Sequence, residues 1–156
     1  MPENDQTVER IIFEKTSSLL NSNIIVAKQS NKEIADNIKK TISNNTSNKI
    51  FHNENYSFTM QENDFFYYED QFGGIKLPVP NVKGQFQLEN VSTAIATLRT
   101  LKDLNIKDDH IKKGVLKINS IAKLQEIKSW KLKALVKDHR LFVYGSHNPL
   151  GAKVLN

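Results

Sequence analysis

Residues 23–42 read NIIVAKQSNKEIADNIKKTI, and this stretch decides the fold class. Residues 23–27 form a short, continuous, β-branched run, which is typical of a strand buried on both faces of a parallel sheet. Ser30 and Glu33 stand three residues apart, as in a capping box that begins a helix. Three isoleucines follow at helical spacing, at Ile34, Ile38 and Ile42. A strand that leads directly into such a helix predicts an α/β unit.

The flanking sequence continues this alternation of helices and strands. Apolar residues at helical spacing predict helices at residues 7–20 and 87–104. Asp108 is placed to cap a shorter helix, whose inward residues are Ile111, Val115 and Ile118. Turn-forming residues separate the apolar runs of the middle block, which predicts a β-meander there. The strands predicted after residue 27 are residues 49–52, 56–60, 65–69, a segment ending at Leu77, 124–127, 132–136 and 141–144.

Composition excludes several classes of protein. The formal charge is +5, from 22 Lys and Arg against 17 Asp and Glu, but the basic residues are scattered and no basic run is interleaved with aromatic residues. We therefore expect no nucleic-acid groove. The absence of cysteine excludes disulfides and thiolate zinc sites. No apolar run approaches the roughly 20 residues of a membrane span, and the polar N-terminus is unlike a signal peptide. We expect a cytoplasmic protein that does not bind membranes.

Three short segments contain the residues that bear on chemistry. They are IFEK at residues 12–15, GQFQLEN at residues 84–90 and YGSHNP at residues 144–149. In this order and at these separations they resemble the folylpolyglutamate synthase/dihydrofolate synthase family, ATP-dependent amide ligases related to the Mur ligases. The resemblance covers nearly the whole chain, and the third segment is its most specific part.

The resemblance implies an α/β fold in two parts. Residues 1–119 would be the C-terminal part of a Mur-ligase-type ATP-binding domain with a β-meander. Residues 120–156 would begin the C-terminal ligase domain, a second α/β domain. The 156 residues contain no G-x-x-x-x-G-K-[ST] segment, the P-loop that holds nucleotide phosphates. We therefore expect an internal fragment of such a ligase that is inactive alone.

For Lys15 the resemblance implies a catalytic role and a place at a metal site. In the family, a lysine at this position is carbamylated and helps to organise Mg²⁺, which spreads the charge of the phosphoryl group transferred from ATP. The alternative is that Glu14 and Lys15 are two exposed charges on a helix. Lys15 is followed by Thr-Ser-Ser, where the family has Ala-Gly-Ile, and this triplet is a poorer helix interior.

The resemblance also implies a nucleotide site. Gln87 and Asn90 match family residues of the adenine-contacting motif, and an amide offers a donor and an acceptor to a purine edge. His147 and Asn148 match the family's D-G-A-H-N-P segment, whose histidine approaches ATP and is the second catalytic candidate. Lys123 stands where the family has a phosphate-facing arginine. The alternatives are that Gln87 and Asn90 cap a helix, and that the H-N-P triplet is a turn entering one.

Phe86 and Tyr144 are departures from the family within these segments. Phe86 replaces a histidine, and Tyr144 replaces the aspartate that precedes Gly-Ala-His-Asn-Pro. A phenol does not substitute for a carboxylate at neutral pH, since its pKa is near 10. These departures add to the expectation that the chain does not catalyse ligation by itself.

The implied substrates are folate or dihydropteroate together with L-glutamate, which the family joins through an acyl phosphate. One alternative is a split ligase, in which a separate P-loop-bearing chain completes the enzyme. A second is a noncatalytic binding module that uses the basic surface. A third is a fragment of a peptidoglycan Mur ligase, although the first and third segments match the folate branch better.

Overall fold

The computed structural model describes residues 7–19, 22–81, 85–119, 125–129 and 131–145, with the side chain of Gln85 excluded. Along these residues the chain forms five helices and seven strands. In chain order they are α1 (Val8–Thr16), β1 (Ile24–Val26), α2 (Lys32–Thr41), β2 (Lys49–Phe51), β3 (Tyr56–Met60), β4 (Phe65–Asp70), β5 (Gly73–Pro78), α3 (Gln85–Thr100), α4 (Asp108–Lys117), β6 (Gln125–Ile127), α5 (Lys131–Leu135) and β7 (Leu141–Val143).

The α/β unit predicted at residues 23–42 is confirmed. Strands β1 and β2 pair in parallel, with Ile25 opposite Ile50, and α2 connects them. The capping prediction was wrong by one residue, because Asn31 is the N-cap and its side chain accepts from the Ile34 amide at 2.9 Å. Asn is as good a cap as Ser. Because β2 joins β1 in this way, residues 49–52 do not belong to the meander.

Strands β3, β4 and β5 form the predicted antiparallel meander, in that order. Phe66 lies opposite Met60 on one side and Leu77 on the other. Alternate residues of the strands point to one buried face, as the twofold period of a strand requires. The residues buried there are Tyr56, Phe66, Tyr68, Ile75 and Leu77.

Helix α3 covers this face and joins the meander to α4. The core cluster includes four residues of α3, at Leu88, Val91, Ile95 and Ala96. Ile111 and Val115 of α4 are buried in the same cluster and Ile118 packs against it, which confirms the inward face predicted for that helix. The core therefore lies between the meander and the two helices.

Two helices end earlier than predicted. Helix α1 ends at Thr16 rather than at residue 20. Helix α3 ends at Thr100 rather than at residue 104. Helix α3 also begins two residues earlier than predicted.

A buried ion-pair network centred on Arg99 connects α3 to the meander and to α4. One guanidinium nitrogen donates to Asp70 and to the Gly73 carbonyl, each at 2.9 Å, and the other donates to Asp108 at 2.7 Å. The side chains of Arg99 and Asp70 are 9% and 7% exposed. Helix α4 begins at Asp108, and its N-cap is Lys107. The prediction that Asp108 caps this helix was therefore wrong.

Tyr68 completes this network from the meander. Its hydroxyl donates to Asp70 at 2.9 Å, and the Arg99 guanidinium carbon lies 5.5 Å from its ring centroid. Burial, with the negative charge of Asp70 nearby, raises the pKa of the Tyr68 phenol. The hydroxyl therefore stays protonated and remains a donor at all physiological pH values.

The end of the described chain is a hairpin of β6 and β7 with α5 between them. Gln125 lies opposite Val143 in an antiparallel pair, close to the strands predicted at 124–127 and 141–144. The prediction of a strand at 132–136 is wrong, because residues 132–135 belong to α5. Lys, Leu and Ala favour helix, and Leu135, which is 78% exposed, has no sheet to pack on. None of the described helices is both long and apolar enough to span a membrane.

We predict that Arg99→Ala lowers the free energy of unfolding by about 3–5 kcal/mol, because it leaves the Asp70 carboxylate buried without its charged partner. Urea denaturation followed by circular dichroism measures the change. Arg10→Ala is the matched control, since the Arg10–Glu14 pair is exposed and such pairs contribute about 0–1 kcal/mol. Equal effects of the two variants would contradict the role given to Arg99.

Candidate functional site

A groove of about 540 Å³ lies between α3 and α4 and brings together two of the predicted nucleotide-site residues. Gln87 and Asn90 both line it. Its walls are otherwise mainly apolar, formed by residues such as Val91, Leu98, Ile106, Ile111 and Ile118. We call it the α3–α4 groove. Its volume lies within the range of small-molecule sites, which are typically apolar with a few polar groups that orient the ligand.

Gln87 is the unusual residue of this groove. It is only 8% exposed, and its amide has no hydrogen-bond partner among the described residues. Among the described residues, the buried side-chain polar atoms without a partner are Ser47 Oγ and His52 Nε2, so the Gln87 amide reaches the solvent of the groove. The position thus holds a donor and an acceptor that the described part of the fold does not use.

Asn90 follows Gln87 by three residues and lies on the same face of α3. It is exposed and lines the groove. Neither side chain hydrogen bonds to the backbone of the described residues, so the alternative that they cap the helix gains no support. Together they present two amides beside an apolar surface, which suits a flat heteroaromatic ligand with donors and acceptors on its edge.

Two further polar residues, which the sequence did not single out, line the groove. His110 lies in the first turn of α4, where its Nδ1 accepts from the Lys107 amide at 3.3 Å, and Asn119 follows the end of that helix. Spacing was the one signal in the sequence for His110, because His110, Gly114 and Ile118 recur every four residues and so share a face of α4. Nothing in the residue types alone distinguished them from surface residues.

Lys15 is not part of this groove. It is exposed on α1, a helix that packs on α2, whereas Gln87 and Asn90 face α4. Its neighbour Glu14 pairs with Arg10 at 3.4 Å. Across the described ranges, no group of three His, Cys, Asp or Glu side chains could hold a metal ion. The carbamylated, metal-organising role of Lys15 remains a prediction.

The remaining predicted residues, Lys123, His147 and Asn148, lie outside the described residues. Tyr144, which precedes that last segment, is described. Its ring contacts Phe86, with centroids 6.5 Å apart and planes at 49°. The two positions that depart from the family segments therefore touch each other, beside the first turn of α3. The sequence did not predict this contact, because 58 positions separate the two residues.

No family model matches the chain, and no curated protein matches it significantly. Several solved structures do match the chain. The chain is similar to folylpolyglutamate synthase from Thermotoga maritima, with a TM-score of 0.75 and 18% identity over 96% of this chain and 34% of the other. It is similar to folylpolyglutamate synthetase from Lactobacillus casei, with a TM-score of 0.73 and 21% identity over 94% of this chain and 37% of the other.

A third similar structure is E. coli FolC in complex with DHPP and ADP, with a TM-score of 0.77 and 20% identity over 99% of this chain and 34% of the other. The chain thus spans about a third of the length of the solved structures that it matches. Identities of 18–21% establish a shared fold and not a shared activity. The α/β fold with an antiparallel sheet that the resemblance implied is confirmed.

We predict that Gln87→Leu leaves the free energy of unfolding unchanged or raises it by about 1 kcal/mol, because the Gln87 amide forms no hydrogen bond with the described residues and lies beside an apolar wall. Thermal or urea unfolding measures the change. Gln29→Leu is the matched control, since the Gln29 amide donates to the Ala27 carbonyl at 2.8 Å and its loss should destabilise. A clear loss of stability in Gln87→Leu would show that the amide is satisfied and would remove the case for a ligand.

Proposed function

We propose that this chain belongs to the folylpolyglutamate synthase/dihydrofolate synthase family and provides the base-binding side of its ATP site. The observation that carries the proposal is the pair of amides, Gln87 and Asn90, that line an apolar groove without hydrogen bonding to the described residues. The shared fold supports the family, and the order of the three sequence segments supports the folate branch. The reaction class is the ATP-dependent joining of L-glutamate to folate or dihydropteroate.

The two amides of the α3–α4 groove explain how the chain would select a base. Asn90 can donate and accept at once, so it can pair with the adjacent acceptor and donor on an adenine edge. Gln87 lies one helical turn earlier and can bond only to a group that enters the groove. The apolar wall excludes water from the base, which strengthens these hydrogen bonds. Guanine presents a different donor and acceptor order, and we expect it to bind less well.

The Phe86–Tyr144 contact extends this base-binding side beyond α3. The two rings lie beside the turn that carries Gln87, and aromatic surfaces contribute to the binding of flat ligands through stacking. The tyrosine does not replace the carboxylate that the family segment has at this position, because a hydroxyl and a carboxylate differ in hydrogen-bonding capacity. The substitution therefore favours base binding over a part in phosphoryl transfer.

The phosphate side of the site needs residues beyond those described. Magnesium was predicted together with ATP, but the described residues supply no ligand set for it, and we assign no step to the ion. The 156 residues also contain no P-loop sequence. We therefore propose that they bind nucleotide without hydrolysing it alone. A separate P-loop-bearing chain would complete the ligase, and glutamate-dependent ATP hydrolysis on mixing the two chains would detect this.

We predict that the chain binds ADP and ATP at least about fivefold more tightly than GTP, and that Asn90→Ala lowers the affinity for ATP about fivefold to tenfold. The loss of one or two net hydrogen bonds, at about 1 kcal/mol each, accounts for this magnitude. Isothermal titration calorimetry of the 156-residue chain measures both effects.

Asn37→Ala is the control for this substitution, because Asn37 lies on α2 and does not line the groove. It should leave nucleotide affinity unchanged. Equal affinity for ATP and GTP, or an Asn90→Ala variant that binds ATP as well as the parent chain, would count against the proposal. Binding that weakens steeply with salt and ignores the base would instead support the alternative of a charge-driven binding module.

A further inference from the structure

A second cavity lies at the carboxyl ends of β1 and β2, and none of the residues that line it lines the groove. Its volume is about 300 Å³. Both strands end here, since Val26 pairs with Phe51 at their last positions and the His52 amide donates to the Val26 carbonyl at 3.1 Å. Open α/β sheets bind ligands in the crevice outside the carboxyl ends of their strands. We call this cavity the basic crevice.

Three lysines line the basic crevice, against one carboxylate. They are Lys28, Lys32 and Lys39, and the acid is Glu54. Lys39 forms an ion pair with Glu54 and lies 5.2 Å from the centroid of the Phe51 ring. Lys28 pairs with Glu89 at 2.8 Å, outside the lining. Lys32 has no ion-pair partner among the described residues. The lining therefore has a surplus of positive charge and one cation that is not engaged.

His52 adds a polar group that the described structure leaves unused. Its Nε2 is buried and has no hydrogen-bond partner among the described residues. The ring is held edge-on by Tyr56 and Phe58, with centroids 5.3 and 5.8 Å away. Burial, reinforced by the charge of Lys28, lowers the pKa of His52. A buried nitrogen without a partner usually marks a water or a ligand atom in a native structure.

The N-terminus of α2 does not account for the positive charge of the crevice. Asn31 caps the helix and already satisfies the Ile34 amide. The charge of the crevice comes instead from side chains of three separate segments, the β1–α2 loop, the first turn of α2 and its last turn. Two of the three ammonium groups already have a carboxylate partner, Lys28 with Glu89 and Lys39 with Glu54, so the charge left without a partner among the described residues is that of Lys32.

We propose that the basic crevice binds the oxyanion group of a small phosphate or carboxylate ligand. Lys32 supplies an ammonium without an ion-pair partner among the described residues, Lys28 and Lys39 lie beside it, and the His52 ring lines the crevice. The three ammonium groups outnumber the two carboxylates that pair with them, Glu54 and Glu89, which favours an anion over a metal cation. The site is separate from the α3–α4 groove and does not depend on nucleotide binding there.

The test is titration of the 156-residue chain with inorganic phosphate and, separately, with L-glutamate, at constant ionic strength in chloride. Chemical shifts of the four histidine rings report the binding, and the three histidines outside the crevice serve as internal references. We expect the His52 signals to move alone and to saturate. Saturation by phosphate only, or by glutamate only, identifies the source of the oxyanion, and either result supports the site.

Three variants give the sign of the charge that the crevice prefers. Lys32→Ala should weaken anion binding about tenfold, as expected for the loss of a charge-assisted hydrogen bond. Glu54→Gln should strengthen binding, because it removes the competing carboxylate of Lys39. Lys112→Ala, an exposed lysine of α4 outside the lining, should change nothing.

Several outcomes would overturn the proposal. One is the absence of any saturable His52 shift with either anion. Another is weaker binding in Glu54→Gln, which would indicate a cation site. A third is an equal loss in Lys32→Ala and Lys112→Ala, which would indicate nonspecific attraction. Circular dichroism confirms that each variant is folded, and the substituted side chains are at least partly exposed. None of these outcomes bears on nucleotide binding in the α3–α4 groove.

Discussion

The ion pair of Arg99 with Asp70 is the constraint on which the arrangement of the main body depends. An unpaired charge at this depth would cost several kcal/mol, so the guanidinium and the carboxylate must meet wherever else the chain goes. Asp70 ends β4, Arg99 lies in the last turns of α3 and Asp108 begins α4. Satisfying one cation therefore fixes the position of α3 on the meander and the angle at which α4 leaves it. The α3–α4 groove, with Gln87 and Asn90, exists because those two helices are held in this way.

Local patterns predicted most of the fold. The β-branched run at 24–26, the meander and the long helix follow from periodicity and turn residues. One error came from long-range pairing, since β2 left the meander to join β1 in parallel. Two errors were local, because Lys107 rather than Asp108 is the N-cap of α4, and residues 132–135 follow their helix propensity.

The sequence predicted one part of the candidate site and not the other. The motif of residues 84–90 identified Gln87 and Asn90, and their shared helical face follows from spacing alone. The groove itself did not follow from spacing, since its second wall is α4, which lies some twenty residues further on. The basic crevice was invisible in the sequence for a similar reason. Its lysines are scattered along a lysine-rich chain, and only the parallel pairing of β1 and β2 gives them a common cavity.

The contact between Phe86 and Tyr144 closes a long loop of the chain, and loop closure costs conformational entropy. From Asn119, next to the packed end of α4, to Tyr144 the chain is about 25 residues long, and closing a fully flexible loop of that length would cost roughly 3 kcal/mol by the 1.5RT ln n relation. The pairing of β6 with β7 already orders part of this segment and lowers that entropic cost. An aromatic pair returns about 0.5–1.5 kcal/mol, so the contact of the two rings offsets part of the cost of bringing these distant residues together.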